Sequence, residues 1–98
     1  MRITLKRSGG FSGIRTTASL DFSNLPKKKV AEVQSLIDAA KFFDLPASIR
    51  PKRPQPDRFQ FELTIEADDR THTVSIAEEA ASKEVRALLA WLQKNLKT

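Results

Sequence analysis

The side chains available for acid, base, nucleophilic or metal chemistry are few in this sequence. The 98 residues include one histidine, His72, and no cysteine. A thiol nucleophile, a disulfide framework, a cysteine-ligated zinc site and a histidine-based metal triad are therefore excluded. Asp68 and Asp69 are neighbours, as is common in a solvated turn, and no serine–histidine–aspartate arrangement follows from the spacing. The sequence predicts a protein that is not an enzyme and has no cofactor or metal of its own.

Two loop residues stand out because folding does not require them. Phe11 lies at the tip of segment 8–13, which holds all three glycines of the chain. Asp57 ends a proline-rich connection, and prolines reduce the entropy that a loop loses on binding. Ordinary alternatives exist for both residues. Phe11 can fold back onto the edge of the core, whereas Asp57 can be a turn residue at a strand start or pair with Arg58.

Hydrophobic periodicity predicts the elements that carry these loops. Period-2 alternation predicts four strands, and helical spacing predicts two helices, giving the order β-β-α-β-β-α over strands 2–7, 14–22, 58–66 and 71–76 and helices 26–40 and 80–96. Asn24 or Ser23 is expected to cap the first helix, and the connection 47–57 is expected to cross the surface. The prediction is a single α+β domain over residues 1–98, in two layers. Two helices cover one face of a four-stranded, mainly antiparallel sheet whose other face is open.

Strand direction places the two loops at one end of this sheet. The glycine-rich loop follows the first strand, and the connection that ends at Asp57 precedes the third strand. Both then lie at the same end, provided that the first helix runs the length of the sheet once. The Asp68–Asp69 turn lies at the opposite end. His72 is expected to be a partly buried histidine on the inward face of the fourth strand.

The positive charge of the chain first suggests nucleic acid as a partner. Lys and Arg number 17 against 12 Asp and Glu, for a formal net charge of +5. The basic residues form no continuous stripe, no known RNA-binding motif is present, and most aromatic residues fall at core positions. These observations disfavour nucleic acid. A small basic binding module for nucleic acid or another protein is still the alternative function, which a steep salt dependence of binding would identify.

The location expected from the sequence is cytoplasmic. No apolar run approaches the roughly 20 residues that a membrane span requires. The residues that follow Met1 lack the apolar segment of a signal peptide.

Motifs at the two loops and in the elements beside them resemble the emfourin family, which comprises small bacterial inhibitors of protealysin-like, thermolysin-family metalloproteases. The resemblance covers nearly the whole chain and rests on the order and spacing of five short motifs, RSGGFSGI (7–14), FFDLP (42–46), DRFQFELT (57–64), HTV (72–74) and LLAWL (88–92). The basic segment 50–53 departs from the pattern, because a less charged loop is expected there. The resemblance implies a cognate protease as partner.

The resemblance also implies how the loops act. One loop offers an aspartate to the catalytic zinc of the protease, and the neighbouring loop offers apolar side chains to its substrate pockets. Asp57 is the candidate zinc ligand, with Asp68 or Asp69 as the alternative. Phe11 and Ile14 are the candidate pocket residues. Loop flexibility is assigned to three glycines and supporting roles to two further residues, namely Gly9, Gly10, Gly13, Ser12 and Arg58.

Overall fold

Five strands and two α-helices make up the regular structure in the residues that the computed structural model describes, which are 1–9, 16–52, 59–67 and 69–95. The strands are β1 (Arg2–Gly9), β2 (Thr16–Asp21), β3 (Ser48–Ile49), β4 (Phe59–Glu66) and β5 (Thr71–Ala77). The helices are α1 (Lys27–Ala40) and α2 (Lys83–Asn95). Short 3₁₀ turns lie at Phe22–Asn24, Phe42–Asp44 and Glu78–Ala80.

The sheet has the order β2-β1-β4-β5-β3 and is mixed, which corrects the prediction of four strands. The four longer strands pair antiparallel, whereas β3 pairs parallel with β5. β3 lies in the connection that was expected to cross the surface. A strand of two residues is too short to show an alternating pattern, and it exists because backbone groups pair with β5, as in the 2.9 Å bond from Ser75 N–H to Ala47 O.

The core lies between one face of the sheet and the two helices, as predicted. Fully buried apolar side chains come from three strands (Ile3, Leu63, Ile65, Val74, Ile76) and from both helices (Val33, Ile37, Val85, Leu88, Leu92). Hydroxyl and charged residues lie on the opposite face. There Thr4 bonds Ser19 at 3.2 Å, and Lys6 lies 3.7 Å from Glu62. The alternation in the strands therefore gives this sheet one dry face and one open face.

The caps of the helices differ in part from the prediction. Asp21, rather than Ser23 or Asn24, supplies the capping side chain before α1, and it caps the 3₁₀ turn Phe22–Asn24. α1 itself begins after Pro26, without a side-chain cap. Ser23 does not cap α1 because it is engaged in the preceding turn. Its hydroxyl and its N–H both donate to Asp21 Oδ1, at 2.9 and 3.0 Å.

The chain reaches the start of β4 by another route than expected. After α1 the chain contacts the first part of β5, at the end of the sheet away from Gly9. There the carbonyl oxygen of Leu45 lies 2.8 Å from His72 Nε2. β3 then runs parallel to β5, beside Ser75 and Ile76. β3, and not α1 alone, therefore carries the chain toward the end of the sheet where β4 begins.

Replacing Leu88 should test the core that positions these loops. Leu88 has 0% of its surface exposed. Leu88→Ala removes buried methyl groups and leaves a cavity, so it should lower the free energy of unfolding by about 2–5 kcal/mol. Urea denaturation measures this loss. The exposed Lys28→Ala variant is the control, with an expected change within about 0.5 kcal/mol.

The Asp21 cap should make stability depend on acid pH. The backbone hydrogen bond from Ser23, followed by its hydroxyl bond, lowers the pKa of Asp21 below its ordinary value. A lowered folded-state pKa stabilises the protein above the unfolded-state pKa, and this stabilisation is lost as pH falls through the folded-state value. Asp21→Ala should therefore lower Tm at neutral pH. The difference from wild type should shrink below the ordinary aspartate pKa of about 3.9; an equal difference at neutral and strongly acid pH would contradict the assignment.

Candidate functional site

The end of β1 and the start of β4 lie side by side. Gly9, the last residue of β1, pairs with Phe59, the first residue of β4. Paired residues of antiparallel strands have Cα atoms about 4.5–5.5 Å apart. Segment 10–15 follows Gly9, and segment 53–58 precedes Phe59. The two loops are therefore attached to the sheet at adjacent backbone positions.

Most of the predicted site residues belong to these two segments and lie outside the described residues: Gly10, Phe11, Ser12, Gly13, Ile14, Asp57 and Arg58. Their roles stay predictions. Gly9 is described, and its φ of 104° lies in the region that favours glycine. A side chain at this position would strain the backbone, so glycine lets the chain turn as it leaves β1.

Phe59 is exposed at the base of the two loops. Among the large hydrophobic residues in the described part of the chain, Phe59 alone is exposed, with 40% of its surface accessible to solvent. The guanidinium carbon of Arg7 lies 5.0 Å from the centre of the Phe59 ring, within the range of a cation–π contact. Arg7 also donates through Nη1 to Oε1 of Gln93 on α2, at 3.2 Å. These contacts tie β1, β4 and α2 together where the loops begin.

A groove of about 500 Å³ lies between Phe59 and α2. Its apolar walls are Phe59, Phe61, Leu89 and Ala90. The polar residues lining it are Glu78, Glu79, Arg86 and Gln93. Phe59, one wall of the groove, is the residue that directly follows segment 53–58 in the sequence.

Glu79 has a buried carboxylate oxygen in this groove. Its Oε2 has no hydrogen-bond partner among the described residues. The nearby Arg86 does not supply one, because its Nη2 lies 3.5 Å from the backbone oxygens of Glu78 and Glu79 instead. A buried polar atom without a partner is uncommon in folded proteins. No sequence motif indicates a role for this residue. Glu78 and Glu79 are two consecutive acidic residues between β5 and α2, and such residues are usually solvated.

His72 has the structural role that the sequence predicted. It is half-buried on the helix-covered side of β5, and its Nε2–H donates to the carbonyl of Leu45 at 2.8 Å. Its ring makes an edge contact with Phe42, 5.4 Å between centroids, and Arg70 stacks on the adjacent Phe43 at 3.9 Å. His72 therefore fastens the chain after α1 to the sheet.

Asp69, one of the two alternative zinc ligands, belongs to the other end of the sheet. Asp69 is exposed in the turn between Glu66 and Thr71, residues that pair with each other at the end away from Gly9. Asp68 lies outside the described residues. Strand register thus separates Asp69 from the two candidate loops by the length of β4.

The described residues offer few other sites. They contain no group of three His, Cys, Asp or Glu that could hold a metal ion. Neither α1 nor α2 has the length and apolar character needed to cross a membrane. The open face of the described strands carries hydroxyl, amide and charged side chains, with no aromatic residue on which a base could stack.

Comparison with known proteins identifies the family. The family model for Emfourin matches residues 5–93. The chain belongs to the Emfourin family. Its fold is similar to that of emfourin from Serratia proteamaculans, described as an M4 family peptidase inhibitor, with 15% sequence identity and a TM-score of 0.50 over 99% of this chain and 90% of that one. No curated protein sequence matches the chain. Members of the Emfourin family are protease inhibitors and not enzymes, which confirms the prediction that this chain is not an enzyme.

Replacing His72 should separate folding from function. His72→Leu removes the donor to Leu45 O and leaves that carbonyl without its partner, so the free energy of unfolding should fall by about 1–3 kcal/mol. His72→Gln, which keeps an N–H donor, should lose less. Urea denaturation measures both variants. A loss of inhibition in a fully folded variant would contradict a purely structural role.

Proposed function

We propose that this chain inhibits a thermolysin-family zinc metalloprotease by blocking its active site. Membership of the Emfourin family supports this function, and the related emfourin from Serratia is described as an inhibitor of M4 family peptidases. The observation that carries the proposal is the pairing of Gly9 with Phe59, because it attaches both candidate loops at the same end of the sheet. Two neighbouring loops on a rigid sheet are a suitable shape for entering a protease cleft. A protealysin-like enzyme is the proposed partner.

Asp57 is the proposed ligand for the zinc of the protease. A catalytic zinc keeps an open position that water normally occupies, and a carboxylate oxygen can bind there at about 2.0–2.2 Å. Binding displaces the water whose activation drives hydrolysis. Asp57 is two residues from Phe59 in the sequence, at the end of the sheet to which both loops attach. Asp69 belongs to the opposite end. This separation favours Asp57 over Asp69.

The glycine-rich loop supplies the apolar contacts in this proposal. Phe11 and Ile14 enter substrate pockets beside the zinc, where burial of their side chains stabilises the complex. Gly9, Gly10 and Gly13 allow the backbone conformations that a narrow cleft requires.

Two residues of the loops have supporting roles in the proposal. Ser12 belongs to the tip of the glycine-rich loop, beside Phe11. Arg58 pairs with carboxylates of the cleft or steadies Asp57.

Replacing the loop residues should weaken inhibition without unfolding the protein. Asp57→Ala and Phe11→Ala should each weaken inhibition of a thermolysin-family protease by about 30-fold or more, since truncating a buried charge or anchor costs roughly 2 kcal/mol or more. Inhibition constants from peptide-substrate assays measure the effect, and Tm verifies folding. Asp57→Asn is the isosteric variant, which keeps the shape but removes the charge that favours zinc.

Asp68→Ala and Asp69→Ala are the matched controls and should inhibit like wild type. Unchanged inhibition by Asp57→Ala would refute its role as zinc ligand. A loss confined to Asp68→Ala or Asp69→Ala would transfer that role to the opposite turn.

A further inference from the structure

The groove beside Phe59 has the features of a second contact with the same partner. It measures about 500 Å³, within the size range of pockets that bind a ligand group, roughly 300–1,000 Å³. Arg7 lies over the Phe59 ring and bonds Gln93, so the wall between the loops and α2 is held in place. The groove is therefore a formed cleft, and its wall residue Phe59 lies two positions after Asp57 in the sequence.

The charges that line the groove favour a cation. Among the described residues that line the groove, Glu78 and Glu79 supply two carboxylates and Arg86 supplies one guanidinium, so negative charge is in excess by one within this set. The guanidinium of Arg86 is directed to backbone oxygens, while Oε2 of Glu79 is buried and has no partner among the described residues. A buried carboxylate oxygen is costly unless a donor reaches it, and the described residues of the groove supply no such donor.

The apolar walls define the rest of the occupant. Phe59, Phe61, Leu89 and Ala90 provide a surface for aliphatic carbon beside the carboxylate. Lysine and arginine combine an aliphatic stem with a terminal cation, and they commonly pack the stem on apolar surface while the cation finds a polar partner. A simple apolar side chain would leave the oxygen of Glu79 without a donor, and a small cation would leave Phe59 exposed.

We infer that this groove receives a lysine or arginine side chain from the rim of the protease cleft. The stem packs against Phe59 and Leu89, and the cation donates to Glu79 Oε2 at the 2.7–2.9 Å typical of charge-assisted bonds. The inference rests on the proposed function. A protease whose zinc meets Asp57 presents the rim of its cleft to residues next to that loop, and Phe59 is two positions away. The groove thereby selects among proteases by the charge of the rim.

The test measures inhibition of a panel of M4 family peptidases, including thermolysin, by groove variants of the full chain. Glu79→Gln should weaken inhibition by about tenfold or more, chiefly through faster dissociation, because the partner cation is left buried and unpaired. Glu79→Lys should weaken it further through repulsion. Ala90→Leu, on an exposed helix position, should also weaken it by filling the groove. The Tm of all three should stay close to wild type.

Glu66→Gln is the matched control, because it makes the same charge change at the exposed far end of β4. It should inhibit like wild type. If wild type inhibits but Glu79→Gln and Ala90→Leu inhibit equally well, the groove inference is overturned and the proposed function stands. If Glu79→Gln instead lowers the Tm of the free chain with no change in inhibition, a cation of the chain itself fills the groove, and the inference is again overturned. If wild type inhibits none of the peptidases, the proposed function fails and the inference with it.

Discussion

The pairing of β1 with β4 is the constraint on which the rest of this structure depends. These two strands are the centre of the sheet, and their register runs from Arg2 opposite Glu66 to Gly9 opposite Phe59. Ile3 pairs with Ile65 and Leu5 with Leu63, so the same register places fully or nearly buried side chains on one face. A shift of one residue would turn that apolar row to solvent. Burial of the core therefore fixes the backbone positions to which the two loops attach. The end of the sheet that we propose to contact the protease is thus set by core packing.

Contacts of the helical layer stabilise this end of the sheet. α2 follows β5 after the 3₁₀ turn Glu78–Ala80, and it contacts α1 through the bond from Trp91 Nε1–H to Glu32 Oε2, at 3.2 Å. The bond from Arg7 to Gln93 ties α2 back to β1. A gap is left where the 3₁₀ turn Glu78–Ala80 leads from the sheet to α2, and that gap is the groove beside Phe59. This end of the sheet thus combines the two candidate loop segments with a partly apolar groove.

Much of this fold could be predicted because its long elements bury one face each. The alternation in β4 and the stripe that includes Val85, Leu88 and Leu92 are local records of burial, and the structure buries those residues. β3 could not be predicted, since two residues show no period and backbone pairing with β5 creates the strand. The cap at Asp21 was missed because several neighbouring polar residues compete for the same turn. The prediction that both loops attach at one end of the sheet was correct. The assumption that α1 alone carries the chain to that end was wrong, because β3 carries it there.

The sequence by itself determined the two-layer α+β class, the absence of thiol and histidine-triad chemistry and the family resemblance, and it proposed the two loop segments with Phe11 and Asp57. Residue type and short-range spacing carry that information, because periodicity reflects burial and because chemistry needs particular side chains. Only the tertiary structure decided that Gly9 adjoins Phe59, that Asp69 lies at the far end, and that one carboxylate oxygen of the half-buried Glu79 is buried in a groove beside the exposed ring of Phe59. Those relations join residues distant in sequence. They exist only when the strands pair and α2 packs across them, so no local pattern records them.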